Sequence, residues 1–176
     1  MIQEIAHKSK WFWPWQDDKE ETWLEQMSKQ GLHLKQVKIW GGYDFIKAAP
    51  KDYIYRLDFR DSLKQKDKEA YLHLFTDLGW EHIGEMNGWQ YFRRESQSEE
   101  TQELFTDADS KIQKYRRILT WVGLSYPSYL VIFVALWSSY PEWAMWLTIA
   151  IILLTSTIWL LMSVKLWQRI NQLKAL

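Results

Sequence analysis

Apolar residues are concentrated in two long runs of the sequence, at 118–140 and 143–164. Both runs exceed the roughly 20 apolar residues that a helix needs to cross a bilayer core. Glu142 is the only charged residue between positions 118 and 164, and neither run shows the polar face that a helix on a soluble core carries. The pattern therefore predicts a two-helix transmembrane hairpin at 118–164. It disfavours the alternative, which is a pair of helices buried inside a soluble protein.

Basic residues flank the two runs, whereas the turn between them contains no Lys or Arg. These residues are Lys111, Lys114, Arg116 and Arg117 before the first run, and Lys165, Arg169 and Lys174 after the second. Lys and Arg near helix ends favour the cytoplasmic side of a membrane. We therefore expect a two-pass protein of the cell membrane with both termini in the cytoplasm and a basic cytoplasmic tail at 165–176. The lipid bilayer is then one partner, and a homodimer could form through the hairpin.

The sequence before the hairpin is patterned as a soluble α+β head, predicted at 8–95. Alternating tryptophans at 11–15 predict a first strand. Acidic residues at 17–21 suit the start of a helix, and Gly31 suits its end. The stretches 32–40 and 43–47 are predicted as two further strands, joined by a turn at the paired glycines.

The same order of elements follows in residues 52–95. An alternating strand leads into a helix that ends at Gly79, and the pair Asn87-Gly88 is a strong hairpin signal. We therefore predict two pseudo-repeats, at 10–48 and 52–95, each with the order strand–helix–strand–strand. The expected fold is a duplicated head in which an antiparallel or mixed sheet of about six strands carries two helices on one face. The alternative is a chance similarity between two common segments.

Residues 96–117 are predicted to be a polar linker followed by a juxtamembrane amphipathic helix, which runs into the first span. Such a helix could couple motion of the head to motion of the hairpin.

Composition and charge narrow the classes of function. The net charge is zero, but residues 1–110 carry 15 Lys and Arg against 21 Asp and Glu, while residues 111–176 carry 7 against 1. An acidic head argues against direct nucleic-acid binding, which depends on Lys and Arg contacts with phosphates. Cysteine is absent, so disulfides, cysteine nucleophiles and cysteine metal sites are excluded.

The sequence contains no recognisable catalytic or metal-binding motif. Its four histidines, His7, His33, His73 and His82, show no metal-ligand spacing. His33 and His82 occupy corresponding strands of the two repeats, so a shared site is one interpretation and two ordinary strand histidines are the other. No nucleophile stands beside a base, and no phosphate-binding glycine loop occurs. We therefore expect neither an enzyme nor a bound cofactor.

The aromatic content of the head is its most unusual chemical feature. One interpretation is a core filled with large rings, and the other is an aromatic groove between the two repeats. Such rings bind planar or cationic ligands and partner side chains, and nearby acidic residues would favour a cation. The candidate groove residues are Trp11, Trp13, Trp15, Trp40, Tyr43, Tyr55, Trp80 and Trp89.

Three motifs together resemble one bacterial family, the domain of unknown function 2812. They are Trp11-Phe-Trp-Pro-Trp15 followed by acidic residues, Tyr53-Ile-Tyr-Arg-Leu-Asp58, and Gly79-Trp80 with Gly88-Trp-Gln-Tyr-Phe-Arg93. The resemblance covers residues 8 to about 117. It implies C-terminal membrane spans and a regulatory context, because such proteins are often encoded beside PadR-type transcriptional regulators. It implies no catalytic residues. The order of elements is also similar to that of gyrase-inhibitory-like ligand-binding domains, which is an analogy of fold alone.

These observations favour a membrane-anchored cytoplasmic module that senses a small ligand or engages a protein partner such as a transcriptional regulator. The alternative is an accessory or immunity-type membrane protein in which the hairpin is the working part. A membrane-bound enzyme is the third and least favoured hypothesis.

Overall fold

The computed structural model describes residues 4–60, 65–96, 108–136 and 141–175. They belong to two compact units, Met1–Asp107 and Ala108–Leu176. The described residues form two antiparallel three-stranded sheets and four α-helices. The predicted α+β class is therefore confirmed. The strands, however, divide into two sheets of three, and the expectation of one sheet of about six is wrong.

The first sheet contains β1 (Ile5–Ser9), β2 (Leu32–Lys38) and β3 (Gly42–Lys47), in the spatial order β1-β3-β2. Helix α1 (Asp17–Lys29) connects β1 to β2. The strand predicted at 11–15 is wrong, because the first strand is Ile5–Ser9 and residues 10–16 are irregular. The central strand β3 begins at Gly42, which pairs with Ser9, so β3 does not extend far enough to pair with residues 11–15.

The second sheet contains β4 (Tyr53–Phe59), β5 (Glu81–Met86) and β6 (Trp89–Glu95), in the order β4-β6-β5. Helix α2 (Gln65–Asp77) connects β4 to β5. The two sheets thus share one connectivity, strand–helix–strand–strand. They also share a β-bulge in the strand that follows the helix, between Leu34 and Gln36 in β2 and between His82 and Gly84 in β5.

The main core joins both sheets to α1. Leu24 of α1 is fully buried against side chains of both sheets, which are Leu34, Tyr43, Phe45, Tyr55, Leu57 and Tyr91. Helix α1 also covers the free edge of β4. The backbone N–H of Leu57 donates to Glu21 Oε1 (2.8 Å), and that of Tyr55 donates to Glu25 Oε1 (3.3 Å). These bonds satisfy edge groups that would otherwise face solvent or another chain.

Helix α2 packs on the opposite face of the second sheet. Phe92 lies in a separate cluster with Phe75 of α2 and Trp80, whereas the adjacent Tyr91 lies in the α1 core. Because neighbouring residues of a strand point to opposite faces, the two helices contact opposite faces of this sheet. The expectation of both helices on one face is therefore wrong.

Each sheet closes a hairpin with two consecutive residues in the left-handed region. Asn87 and Gly88 have φ of 49° and 83°, as the predicted hairpin signal requires. In the first sheet the corresponding pair is Trp40 and Gly41, with φ of 63° and 73°. The loop of this hairpin is Ile39–Gly41, so the turn predicted at the paired glycines begins two residues earlier. Its tryptophan occupies a backbone conformation that bulky residues rarely adopt.

The second unit is a pair of packed helices, α3 (Ala108–Leu136) and α4 (Glu142–Lys174). The indole of Trp159 stacks on Tyr126 with ring centres 5.0 Å apart, and its Nε1 donates to the carbonyl of Val122 (2.9 Å). Nearer the other end of this contact, Arg169 Nε donates to the hydroxyl of Tyr115 (3.4 Å). The earlier residue of α3, Tyr115, contacts the later residue of α4, Arg169, and Val122 contacts Trp159. The two helices therefore run antiparallel.

Helix α3 is continuous from Ala108, so the helix expected before the first span and the described part of that span form one element. The linker at 97–107 and the last predicted residues of the first span, 137–140, lie outside the described residues. The segment predicted as a basic tail, 165–176, continues α4 as far as Lys174.

Within the described residues, one helix, Ala144–Lys174, is long and apolar enough to cross a membrane. Its apolar side chains are largely exposed, including Leu153, Leu154, Leu160 and Leu161. Two of its hydroxyls bond within the helix, since Thr155 and Thr157 donate to carbonyls one turn back. A helix with this apolar surface could anchor the chain in a bilayer.

Candidate functional site

The eight aromatic residues proposed to line a groove fall into three groups. Trp11, Trp13, Trp15 and Trp40 lie at the end of the first sheet where the β2–β3 hairpin turns. Lys10 N donates to the carbonyl of Gly41 (2.9 Å), which places the 11–15 segment directly beside that turn. Trp13 stacks on Trp15 at 5.2 Å and meets Trp11 edge-on at 5.9 Å.

Tyr43 and Tyr55 are buried in the core around α1, and the half-buried Trp89 packs against the same cluster. Trp80 lies in the other cluster, beneath α2, where the guanidinium of Arg94 stands 4.9 Å from its ring centre. The structure therefore brings together the four residues of the first group, and it distributes the others between two separate packing clusters.

The most unusual site in the head is a buried carboxylate in the α1 core. Glu20 is 8% exposed, and its Oε1 accepts hydrogen bonds from Tyr43 of β3 (2.8 Å) and Tyr91 of β6 (3.0 Å). One oxygen therefore receives a hydroxyl from each sheet. The other oxygen, Oε2, makes no hydrogen bond to the part of the chain that the structure describes.

Burial controls the ionisation of this group. Desolvation raises the pKa of Glu20 to about 7, the nearby charge of Asp17 adds to the rise, and the two tyrosine hydroxyls oppose it. Burial also raises the pKa of Tyr43 and that of Tyr91 above the ordinary tyrosine value. Both hydroxyls therefore remain protonated donors at neutral pH, while Glu20 changes charge there.

Aromatic rings surround one side of the carboxylate. Trp23 meets Tyr43 edge-on at 4.8 Å and Phe45 at 5.7 Å. The ammonium of Lys10 stands 5.2 Å from the centre of the Trp23 ring and 5.1 Å from that of Phe12. This wall of rings already holds one cation of the protein by cation–π attraction. A buried acid beside such rings is chemically suited to an organic cation.

A second polar cluster lies between α2 and the second sheet. Asp58 is fully buried, and it accepts hydrogen bonds from Tyr71 (2.9 Å) and from Arg60 Nε (3.2 Å). Across the sheet, Gln90 contacts His82 and donates to Glu85 (2.8 Å). Burial lowers the pKa of His82. Because Asp58 has several polar partners, we interpret this cluster as structural.

The histidines do not form a shared site in the structure. His33 contacts Ser28 and the carbonyl of Ala49, whereas His82 contacts Gln90 on the other sheet. No group of three or more His, Asp or Glu residues in the described ranges could hold a metal ion.

Sequence reasoning missed Glu20, because an acid in the first turn of a helix is ordinarily explained by the helix dipole. A signal was nevertheless present. The buried residues of α1 are Asp17, Glu20, Leu24 and Ser28, which are spaced by three or four residues. The two acids therefore lie on the same helical stripe as the central core leucine.

Comparison with known families identifies one match. The family model described as a protein of unknown function, DUF2812, matches residues 16–126. This match confirms the resemblance drawn from the aromatic motifs, although the segment 11–15 precedes the matched residues. No curated protein and no solved structure matches the chain.

Proposed function

We propose that this chain, which belongs to the DUF2812 family of proteins of unknown function, is a membrane-anchored binding module for a small organic cation. One observation carries the proposal. Glu20 is a carboxylate, 8% exposed, that joins the two halves of the head through hydrogen bonds from Tyr43 and Tyr91 to one of its oxygens. The apolar helix Ala144–Lys174 supports the membrane anchor.

The chemistry of the site supports a cation over other ligands. A carboxylate in an apolar environment is stabilised in its ionised form by a nearby positive charge, and a bound cation would supply that charge. The adjacent ring of Trp23 attracts cations through its face, as its contact with Lys10 shows. A ligand held by both features would contact α1 and both sheets, so binding could change how the two halves of the head pack.

The first experiment measures binding of benzyltrimethylammonium to the full chain in detergent by isothermal calorimetry. We expect binding at pH 8, at least tenfold weaker binding at pH 6, and at least tenfold weaker binding after Glu20→Gln at pH 8. The pH effect follows from the pKa of Glu20, about 7, because protonation removes the negative charge.

Two controls separate charge from apolar affinity. Benzyl alcohol, which has a similar ring without the charge, should bind weakly and show no dependence on Glu20. Asp18→Asn removes an exposed acid from the same helical turn and should leave binding unchanged. Equal binding by the parent chain and by Glu20→Gln would contradict the proposal and leave Glu20 with a structural role.

The membrane topology is a further part of the proposal. We propose two spans, with both termini in the cytoplasm and the region around Glu142 outside. The antiparallel contacts between α3 and α4 support a hairpin, and the distribution of basic residues supports the orientation.

We also propose a regulatory output, in which the head engages a protein partner such as a PadR-type regulator, and an origin of the head by internal duplication. The shared connectivity and the matching bulges support the duplication.

The alternative, in which the hairpin is the working part, is favoured by the side-chain contacts that join its helices. These include the hydroxyl contact between Tyr126 and Ser156. Replacing 108–175 with an unrelated hairpin tests it, since retained function would exclude this alternative.

A further inference from the structure

An exposed group of apolar side chains lies at the turn end of the first sheet. This aromatic tip consists of Trp11, Trp13, Ile39 and Trp40. Trp40 is 80% exposed and Ile39 is 61% exposed. The position of Gly41 against Lys10 and Trp11 brings the two parts of the tip together, because a Cβ on Gly41 would lie 2.5 Å from the carbonyl oxygen of Lys10.

The turn holds Trp40 in a conformation that its side chain does not favour. Its φ is 63°, whereas the other hairpin has Asn87 at the corresponding position, and asparagine adopts this region several times more readily than bulky residues do. Backbone strain of this kind persists where the surroundings require it, often at binding surfaces. The tip therefore has two energetically unfavourable features, a left-handed backbone at Trp40 and a large exposed apolar surface.

The charge around the tip is opposite to that of the head as a whole. Three lysines lie beside the turn, since Lys8 pairs with Tyr43, Lys38 pairs with Gly42 and Lys10 bonds to Gly41. One aspartate accompanies them, although residues 1–110 carry a net −6. The aspartate, Asp44, is bonded to Lys38 (2.7 Å) and His7 (2.6 Å). These bonds hold the pKa of Asp44 below its ordinary value, so its charge is matched by close partners.

We propose that the aromatic tip inserts into the interface of a membrane that contains anionic lipid. Tryptophan is enriched at membrane interfaces because its ring is apolar and its N–H is polar, and lysines are attracted to anionic headgroups. The chain carries its own apolar helix, Ala144–Lys174, so a bilayer is available at high local concentration. Insertion gives the head a second attachment and thereby limits its orientation. This inference does not depend on ligand binding at Glu20.

The absence of cysteine makes a direct measurement possible. A spin label is attached to Ile39→Cys in the full chain, which is placed in nanodiscs of phosphatidylcholine with about one third phosphatidylglycerol. Accessibility to oxygen, which concentrates in lipid, is compared with accessibility to a water-soluble nickel chelate. We expect the oxygen-to-nickel ratio at position 39 to exceed that of an aqueous label at least threefold.

The matched control site is Leu74→Cys on α2, since Leu74 is 58% exposed and also apolar. A label at this site should give the oxygen-to-nickel ratio of a label in water. Adding Trp40→Asn should return the label at position 39 to within twofold of that ratio, while asparagine suits the left-handed backbone of the turn. A second label at Ser9→Cys, which is exposed beside the tip, repeats the measurement if Ile39→Cys does not fold.

Three outcomes would overturn the proposal. One is an aqueous ratio at both tip positions. Another is an equal ratio at Leu74→Cys, which would mean that the head has no preferred contact with lipid. The third is shielding from both oxygen and nickel, which is expected for contact with a protein and would assign the tip to a protein partner.

Discussion

At the scale of single residues, Glu20 links the stability of the head to pH. Its pKa is about 7 in the folded chain, against an ordinary value of 4.5. The folded state thus binds a proton more tightly than the unfolded state does. The stabilising effect is present in full below about pH 4.5 and is lost as pH rises through 7. At about 1.4 kcal/mol per pKa unit, the loss is on the order of 3 kcal/mol.

Glu20→Gln should remove this dependence, because the amide keeps an acceptor for Tyr43 and Tyr91 without the charge. We expect the variant to be more stable than the parent by about 2–3 kcal/mol at pH 8.5, and by much less at pH 5.5. The measurement is thermal unfolding in detergent, followed by near-ultraviolet circular dichroism. Asp18→Asn serves as the control, and its effect should be the same at both pH values. A stability difference for Glu20→Gln that does not vary with pH would contradict the prediction.

Glu20 and Trp40 also show what sequence patterns leave undetermined at this scale. The spacing of Glu20 and Leu24 places both on one helical stripe, but only the packing of two sheets around α1 makes that stripe a buried one. The exposure of Trp40 depends on where the hairpin turns. Aromatic content predicts that the tryptophans of the head lie either in a core or in a groove, whereas tertiary structure decides which of them are core and which are surface.

At the scale of elements, two glycines that end corresponding helices provide a matched test of local backbone strain. Gly31 and Gly79 have φ of 78° and 79°. A Cβ at Gly31 would lie 2.5 Å from the carbonyl oxygen of Ala48, whereas a Cβ at Gly79 meets only the Arg94 side chain, at 3.6 Å. Both substitutions to alanine should cost about 1–2 kcal/mol for the left-handed backbone.

Gly31→Ala should cost a further 1–3 kcal/mol or so, because the carbonyl oxygen is backbone and must move. Thermal unfolding of the two variants under identical conditions measures the difference. Equal destabilisation would show that the β3–β4 connection near Ala48 gives way freely. That result would contradict the close contact seen in the structure.

The helices and most strands of the head follow from the sequence because their signals are local. Gly31 and Gly79 end helices where expected, and Asn87-Gly88 forms the expected turn. Alternating tryptophans predict a first strand at 11–15 because they have strand periodicity. Strand formation also requires a partner, and β3 offers none beyond Gly42. The division into two sheets likewise depends on long-range pairing, which periodicity does not specify.

At the scale of the whole molecule, the number of membrane spans determines which surfaces share a compartment. The helix Ala144–Lys174 is long and apolar enough to cross a membrane, whereas the described part of α3 is not. With two spans, the head and the end of α4 lie on the same side. With one span formed by α4, they lie on opposite sides, and the region near Glu142 shares the compartment of the head.

Single-cysteine variants distinguish these arrangements, since the chain has no native cysteine. We expect a membrane-impermeant maleimide to label Glu142→Cys in intact cells, and to label Ser9→Cys and Gln172→Cys only after the membrane is opened. The reason is that basic residues on both outer flanks of the hairpin favour the cytoplasm. Labelling of Gln172→Cys alone in intact cells would establish a single span. Labelling of Ser9→Cys and Gln172→Cys without Glu142→Cys would mean that the hairpin is inverted, and either result would contradict a cytoplasmic head on a two-pass anchor.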